Sequence, residues 1–172
     1  PESVKLAKTI ADESTVLLKN ENQLLPLDAK SLKSIAIIGP NADQVQFGDY
    51  TWSRNNKDGV TPLQGIKNRV NKNTAIHYAK GCSLTSLDTS GIAEAVEAAK
   101  NSEVAVIFGG SASAALARDY KSSTCGEGFD LNDLNLTGAQ SQLIREVYRT
   151  GTPVILVLVT GKPFVIEWEK NN

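Results

Sequence analysis

The stretch SIAIIG, residues 34–39, is a short apolar run, rich in isoleucine, that ends in glycine. A run of this kind, without alternating polar residues, is typical of a strand that is buried on both faces of a sheet. Three further apolar runs of strand length follow along the chain: TAIHYA (74–79), VAVIF (104–108) and PVILVLV (153–159). The sequence therefore predicts four buried strands.

Helical patterns separate these strands. TPLQGIKNRV (61–70) opens with threonine and proline and has glutamine three residues after the threonine, which predicts a capping box with Thr61 as the N-cap. Apolar residues recur at helical spacing within 88–102 and again after Thr137, where Gln140 completes a second predicted capping box. Strands that alternate with helices predict an α/β fold, here a three-layer α/β/α sandwich around a mostly parallel sheet.

Two further elements are predicted near the ends of the chain. Residues 3–20 have an apolar helical face that includes Leu6, Ile10 and Leu17 or Leu18, with Ser3 as the N-cap. GKPFVIEW (161–168) predicts a short extra strand after a turn at its first glycine.

The composition is ordinary for one globular domain. The chain has 172 residues, 41% of them hydrophobic and 22% charged, with a formal net charge of −1. A net charge of this size gives no electrostatic indication of binding to nucleic acid or to an anionic membrane. No apolar run reaches the length of a membrane-spanning helix. The chain contains no methionine, so we expect a processed piece or a fragment of a longer protein.

Few residues are suited to metal or nucleophile chemistry. His77 is the only histidine, and Cys82 and Cys125 are the only cysteines, which excludes a histidine triad or a His-rich metal site built from this chain alone. We expect two reduced thiols, with a disulfide as the alternative in an exported protein. GGSASAA (109–115) follows a strand but matches neither glycine pattern of a phosphate-binding loop, so no nucleotide cofactor is predicted.

Three loops, roughly 39–60, 80–88 and 109–136, follow the carboxyl ends of the predicted strands, where parallel sheets gather their ligands. The third loop has about 28 residues, far more than the usual two to six of a strand-to-helix connection. Its mixed apolar and charged sequence differs from that of a linker. The length therefore indicates an ordered, functional loop.

Carboxylates are concentrated in this third loop, around TCGEGFDLND (124–133). Asp119 could pair with Arg118, and Asp130 could form a turn with loop amides. Glu127 differs because glutamate is not a turn former and has glycine on both sides, which frees the backbone and leaves the side chain unshielded. Glu127 is therefore the candidate functional acid, with a solvated loop charge as the alternative.

Seven blocks stand in a fixed order along the chain: STVLLKNENQLLPL (14–27), IAIIGPNAD (35–43), GDYT (48–51), TPLQGI (61–66), YAKGC (78–82), GEGFDLNDLNLTGAQ (126–140) and PVILVLVTGKPFVIEW (153–168). In this order they resemble the second domain of glycoside hydrolase family 3, an α/β sandwich that follows a TIM-like barrel. The resemblance covers nearly the whole chain. Within the family it is strongest to bacterial β-glucosidases and β-xylosidases.

The resemblance implies a part of a retaining, exo-acting β-glycosidase, a β-glucosidase before a β-xylosidase, that removes terminal β-linked sugars from non-reducing ends. In that family the barrel carries the nucleophilic aspartate, and a long loop of the second domain carries the general acid/base. Glu127 occupies the matching position of the GEGFD block. The implied partners are an oligosaccharide or β-glycoside substrate, the barrel domain and a further C-terminal segment; no cofactor or metal is implied. Four neighbours are implied to bind substrate or support the loop: Asp130, Arg118, Asp119 and Trp52.

One position departs from the family pattern. Many relatives have arginine after the aspartate of the GEGFD block, whereas Asp130 is followed by Leu131, which puts the local ion-pair network in doubt. The family's second domain also continues with another strand and helix, so residues 1–172 are expected to be an incomplete domain without the barrel. The alternative is a non-catalytic Rossmann-like module that binds a small ligand at the same edge. The GEGFD block and the missing phosphate fingerprint favour the glycosidase.

Overall fold

The computed structural model describes residues 1–48, 50–51, 58–113, 124–128 and 132–172. In this part of the chain, four parallel strands form one sheet in the order β2-β1-β3-β4. They are β1 (Ser34–Ile38), β2 (Ala75–Ala79), β3 (Ala105–Gly110) and β4 (Val154–Val159). The predicted α/β fold and its four parallel strands are confirmed. The predicted burial holds for the two central strands, β1 and β3, whereas Ala75 and Tyr78 of the edge strand β2 are exposed and β4 is half-buried.

Five α-helices accompany the sheet within the described ranges: α1 (Glu2–Ser14), α2 (Pro62–Arg69), α3 (Ile92–Lys100), α4 (Gln140–Tyr148) and α5 (Glu167–Asn171). A single 3-10 turn, Glu21–Gln23, follows α1. None of the helices described is both long and apolar enough to cross a bilayer.

Successive residues of the two central strands pack against opposite layers, as the two-residue period of a strand requires. On one face, Ile38 and Ile107 pack in a cluster with the apolar residues of α3 and α4. On the other face, Ile37 and Phe108 pack with α2 and with Leu27 and Leu32 of the segment before β1. The sheet is therefore the middle of three layers, and its carboxyl edge is open to loops.

The two predicted capping boxes have different outcomes. Thr61 caps α2 as predicted, because its Oγ1 accepts a hydrogen bond from Gln64 N at 3.1 Å. The Gln64 side chain, however, donates to Asn68 Oδ1 at 2.8 Å rather than closing the box at the Thr61 amide. The cap predicted at Thr137 is wrong: α4 begins three residues later, and no side chain caps it. Thr137 Oγ1 instead donates to Leu84 O at 2.7 Å, so it joins two loops at the carboxyl edge.

The predictions near the chain ends need correction. Helix α1 begins at Glu2, so Ser3 lies inside it, and it ends at Ser14, before Leu17. Its apolar face is not covered by the sheet: no residue of α1 is buried, and Leu6 and Ile10 are 59% and 58% exposed. The extra strand predicted within 161–168 is absent from these described residues, which form an irregular segment followed by α5.

Candidate active site

The base of the loop that carries Glu127 is closed by backbone hydrogen bonds at the end of β3. Ser113 and Cys125 form a parallel bridge, so the chain at residue 125 lies beside the start of the loop, just after β3. Ala112 O accepts from Thr124 N at 2.9 Å and from Cys125 N at 3.3 Å, and Ala112 N donates to Thr124 Oγ1 at 3.1 Å. The position of residue 125, and with it that of Glu127, is therefore set by β3.

Glu127 is presented to solvent by the two glycines that flank it. Gly126 and Gly128 have φ angles of 124° and 72°, both in the positive region that favours glycine. Glu127 itself is exposed. This is the arrangement expected from the sequence, in which a carboxylate extends from the sheet edge.

The other predicted site residues lie outside the described ranges. They are Asp130, Arg118, Asp119 and Trp52. Their proposed roles remain predictions, and Glu127 is the predicted site residue that the structure describes.

A cleft of about 240 Å³ lies beside the Glu127 loop, between the ends of β3 and β4. Its wall contains hydroxyl and thiol groups: Cys125 Sγ donates to Ser111 Oγ at 3.4 Å, and Ser111 Oγ donates to Thr160 Oγ1 at 3.3 Å. The first predicted loop contributes a second wall, and the third loop and the end of β4 complete the lining. The lining residues are Gln46, Phe47, Gly48, Ser111, Ala112, Ser113, Cys125, Gly126, Val159, Thr160 and Gly161.

The predicted meeting of the three loops at the carboxyl edge is therefore observed. The first and third loops line the cleft, whereas the second loop, 80–88, contacts the residues just before α4, since Leu84 O and Ser86 O accept from Thr137 Oγ1 and Ala139 N. A larger surface hollow of about 470 Å³ lies along α4, and none of residues 124–128 lines it.

Two buried carboxamides that the sequence reasoning missed hold the end of β3. Gln140 is 1% exposed; its Oε1 accepts from Gly110 N at 2.8 Å and its Nε2 donates to Gly110 O at 3.0 Å. Asn41 is fully buried, and its Nδ2 donates to Gly109 O and Ser111 O, both at 3.2 Å. The signal in the sequence was an asparagine three residues after the end of a strand, in GPNAD, and a glutamine that was assigned only to a helix cap.

Both cysteines are free thiols. Cys82 is buried in the core, and desolvation raises the pKa of its thiol from 9.0 to about 11, although the nearby Lys80 charge opposes this shift. Because folding raises this pKa, the unfolded chain loses the proton first. Cys82 therefore contributes less stability as the pH rises from 9.0 towards 11. Among the described residues, no group of three His, Cys, Asp or Glu side chains is arranged to hold a metal ion.

The two thiols are expected to differ in reactivity towards iodoacetamide at pH 8. Roughly one thousandth of Cys82 is thiolate at that pH, and its side chain is shielded, whereas Cys125 borders the cleft and is partly exposed. Peptide mass spectrometry of the native protein should find Cys125 labelled first and Cys82 labelled only after urea is added. Equal labelling rates in the native protein would contradict the burial of Cys82.

Comparison with known proteins assigns this architecture to a family. The model of the glycosyl hydrolase family 3 C-terminal domain matches residues 15–172. A β-xylosidase of Formosa agariphila is 39% identical over 174 residues, which cover 98% of this chain and 23% of that protein. A periplasmic β-glucosidase of Salmonella typhimurium is 35% identical over 186 residues, which cover 94% of this chain and 23% of that protein.

A solved structure of similar fold is the glycoside hydrolase family 3 exo-β-xylosidase XlnD in complex with a xylobiose aziridine probe. It matches with a TM-score of 0.80 and 28% identity, over 99% of this chain and 20% of that chain. The present chain thus spans about a fifth to a quarter of the length of these relatives. The family match, the two relatives and the shared fold agree: the chain belongs to glycoside hydrolase family 3 and corresponds to its C-terminal domain.

Proposed function

We propose that residues 1–172 are one α/β sandwich domain of a retaining β-glycosidase and that Glu127 is its general acid/base. The observation that carries this proposal is the presentation of Glu127: an exposed glutamate between two glycines of positive φ, on a loop whose base is fixed to β3. A carboxyl group held in this way can extend from the sheet edge to a substrate that another domain binds. We call the longer protein that contains both domains the parent protein.

The chemistry requires a second carboxyl group. In a retaining glycosidase, one carboxylate attacks the anomeric carbon while a carboxylic acid about 5–5.5 Å away protonates the departing oxygen. Glu127 would donate that proton as the bond to the leaving group breaks. It would then take a proton from water, as the water attacks the glycosyl–enzyme bond and releases the sugar and the nucleophile. The nucleophile would come from the barrel domain of the parent protein.

Two features support the proposal that this chain works with other domains. The chain covers only 20–23% of the β-xylosidase, β-glucosidase and XlnD chains that it resembles, whose names identify glycosidases. In addition, the apolar side chains of α1 and of the segment after it are exposed, since Leu6, Ile10, Val16 and Leu18 have between 58% and 75% of their surface open. Apolar surface of this kind favours a protein interface.

The substrate class follows from the relatives. We infer a terminal β-linked xylose or glucose at a non-reducing end, because the relatives include β-xylosidases and β-glucosidases. A β-xyloside is the first substrate to assay, since the 39% identical relative carries the name β-xylosidase.

Trapping of the covalent intermediate tests whether the nucleophile lies in another domain while this chain carries the acid/base. A 2-deoxy-2-fluoro glycoside with a dinitrophenyl leaving group is expected to label the parent protein with one sugar, because the fluorine slows release of the glycosyl-enzyme through its charged transition state. Peptide mapping should place the sugar on a carboxylate outside residues 1–172. The xylosyl and glucosyl reagents should be run in parallel. A label inside this chain, or no covalent adduct with either reagent, would contradict the proposal.

A further inference from the structure

We propose that Asn41 is a positioning residue for Glu127, an inference that rests on the function proposed above. Asn41 is 0% exposed, and every hydrogen-bonding atom of its side chain has a partner. Its Nδ2 donates to two backbone oxygens, Gly109 O and Ser111 O, both at 3.2 Å. Its Oδ1 accepts from Gln46 Nε2 at 3.0 Å. A buried amide satisfied in this way fixes the groups that it joins, because each broken bond would leave a buried polar atom unpaired.

Asn41 binds β3 beyond the point at which β1 stops pairing with it. The register of these two strands ends at the pair Ile38 and Ile107, whereas β3 continues to Gly110. Beyond that pair, Asn41 N donates to Phe108 O at 3.1 Å, and the side chain binds the backbone at 109 and 111. Asn41 therefore extends the attachment of the β1 segment to β3 by several residues, up to the start of the loop that carries Glu127.

The attachment continues from residue 111 to Glu127 through a short series of backbone contacts. Ala112 follows directly, and its carbonyl and amide hold Thr124 and Cys125. The parallel bridge of residues 113 and 125 lies two residues before Glu127. A shift of the backbone at 109–112 is therefore transmitted to the carboxylate. A misplacement of about 1 Å can cost a catalytic group on the order of a hundredfold in rate.

The Oδ1 atom of Asn41 binds a residue in the other wall of the cleft. Gln46, its hydrogen-bond donor, lines that cleft together with Phe47 and Gly48 of the first loop. Asn41 thus joins the first loop to the base of the third. A change at Asn41 is expected to alter how these two loops face each other across the cleft.

Replacement of Asn41 by aspartate is the sharpest test. The side chain keeps its shape and its acceptor for Gln46, but an oxygen replaces the amide nitrogen opposite two carbonyl oxygens. The carboxylate form donates neither of the two bonds, and the protonated form donates at most one. The variant should be made in the parent protein and assayed on two β-glycosides of the same sugar. The phenyl glycoside needs a proton from Glu127 to release its leaving group, whereas the dinitrophenyl glycoside does not.

We expect Asn41→Asp to lower kcat/KM for the phenyl glycoside by about tenfold or more relative to the dinitrophenyl glycoside. A merely structural role would reduce the folded fraction and lower both values by the same factor. Asn68→Asp is the matched control, because Asn68 is an exposed amide of α2 whose oxygen accepts from Gln64 Nε2. Its ratio of the two kcat/KM values should equal that of the unchanged protein.

Each outcome decides the inference. If Glu127→Ala raises the dinitrophenyl-to-phenyl ratio and Asn41→Asp leaves it unchanged, the positioning role is wrong and the proposed function stands. If neither variant changes the ratio, both proposals fail. Should Asn41→Asp not accumulate as folded protein, Asn41→Ser, whose hydroxyl can still donate to one carbonyl, is assayed in the same way.

Discussion

Glu127→Ala is expected to lower kcat/KM of the parent protein for a phenyl β-glycoside by about 10²–10⁴-fold, the range that one positioned proton donor supplies. The loss should be much smaller for the dinitrophenyl glycoside, whose leaving group departs without a proton. The structural basis is the exposed position of Glu127 on a loop whose base is fixed to β3. Steady-state kinetics with both substrates, under identical conditions, measure this difference.

Glu94→Ala provides the matched control for this prediction. Glu94 is also an exposed glutamate, but it lies on α3, and it does not line the cleft. Its replacement should change neither kcat/KM value by more than about twofold, since a surface substitution away from a site has little effect. An equal loss on both substrates after Glu127→Ala would indicate damage to the fold. Wild-type kinetics would direct the search to Asp130 and Asp119.

Gly110→Ala is expected to destabilise the fold strongly. Gly110 has a φ of +121°, and a Cβ at this position would lie 2.2 Å from Val159 O, a backbone atom of β4. Gln140 also binds both backbone polar atoms of Gly110, so the strand cannot move away without breaking these bonds. Backbone strain at such an angle costs roughly 1–3 kcal/mol, and the steric clash adds to this cost. We therefore expect the free energy of unfolding to fall by about 3 kcal/mol or more.

Alanine substitutions at two other glycines separate the effect of backbone strain from the effect of the steric clash. Gly151 has a positive φ of +78° but open space around a Cβ, so Gly151→Ala reports backbone strain alone. Gly161 has open space and no positive φ, so Gly161→Ala should be nearly neutral. The urea concentration at the midpoint of unfolding, followed by circular dichroism, should be highest for Gly161→Ala, lower for Gly151→Ala and lowest for Gly110→Ala. A Gly110→Ala protein with an unchanged midpoint would contradict the tight approach of β3 and β4.

The strands were predictable because their signal is local. Uninterrupted apolar runs such as 35–38 and 105–108 must be covered on both faces, and a parallel sheet is the arrangement that covers them. The cap at Thr61 was equally local, since its acceptor role involves the amide three residues later. The cap at Thr137 failed because its hydroxyl finds a carbonyl 53 residues away, at Leu84, which no local pattern contains.

The segment after β4 failed as a strand for a related reason. Thr160 Oγ1 binds both the amide and the carbonyl of Lys162, which turns the chain away from the sheet. Val165 N then donates to Leu134 O, a residue of the loop before α4, and α5 follows. Apolar composition indicated burial, but only the tertiary contacts decide which element forms.

Some residues of the candidate site could also be predicted from local sequence, whereas others depend on tertiary contacts. Glu127 could be selected from the sequence because two glycines mark a special backbone at a long loop and because its block resembles a known family. Asn41 and Gln140 could not, since their partners at 109–111 lie about 70 and 30 residues away along the chain. Their roles depend on the strand order, which places the end of β1 and the start of α4 beside β3.

Chemical rescue by azide is the most direct measurement of the central claim, that Glu127 is the general acid/base. Glu127→Ala in the parent protein should turn over a dinitrophenyl β-glycoside slowly, because no base activates water to release the glycosyl-enzyme. Azide needs no base and should attack the anomeric carbon from the β face, which frees the nucleophile and accelerates turnover. Proton NMR should then identify a β-glycosyl azide. Absence of rate enhancement, or an α-configured azide, would contradict the account.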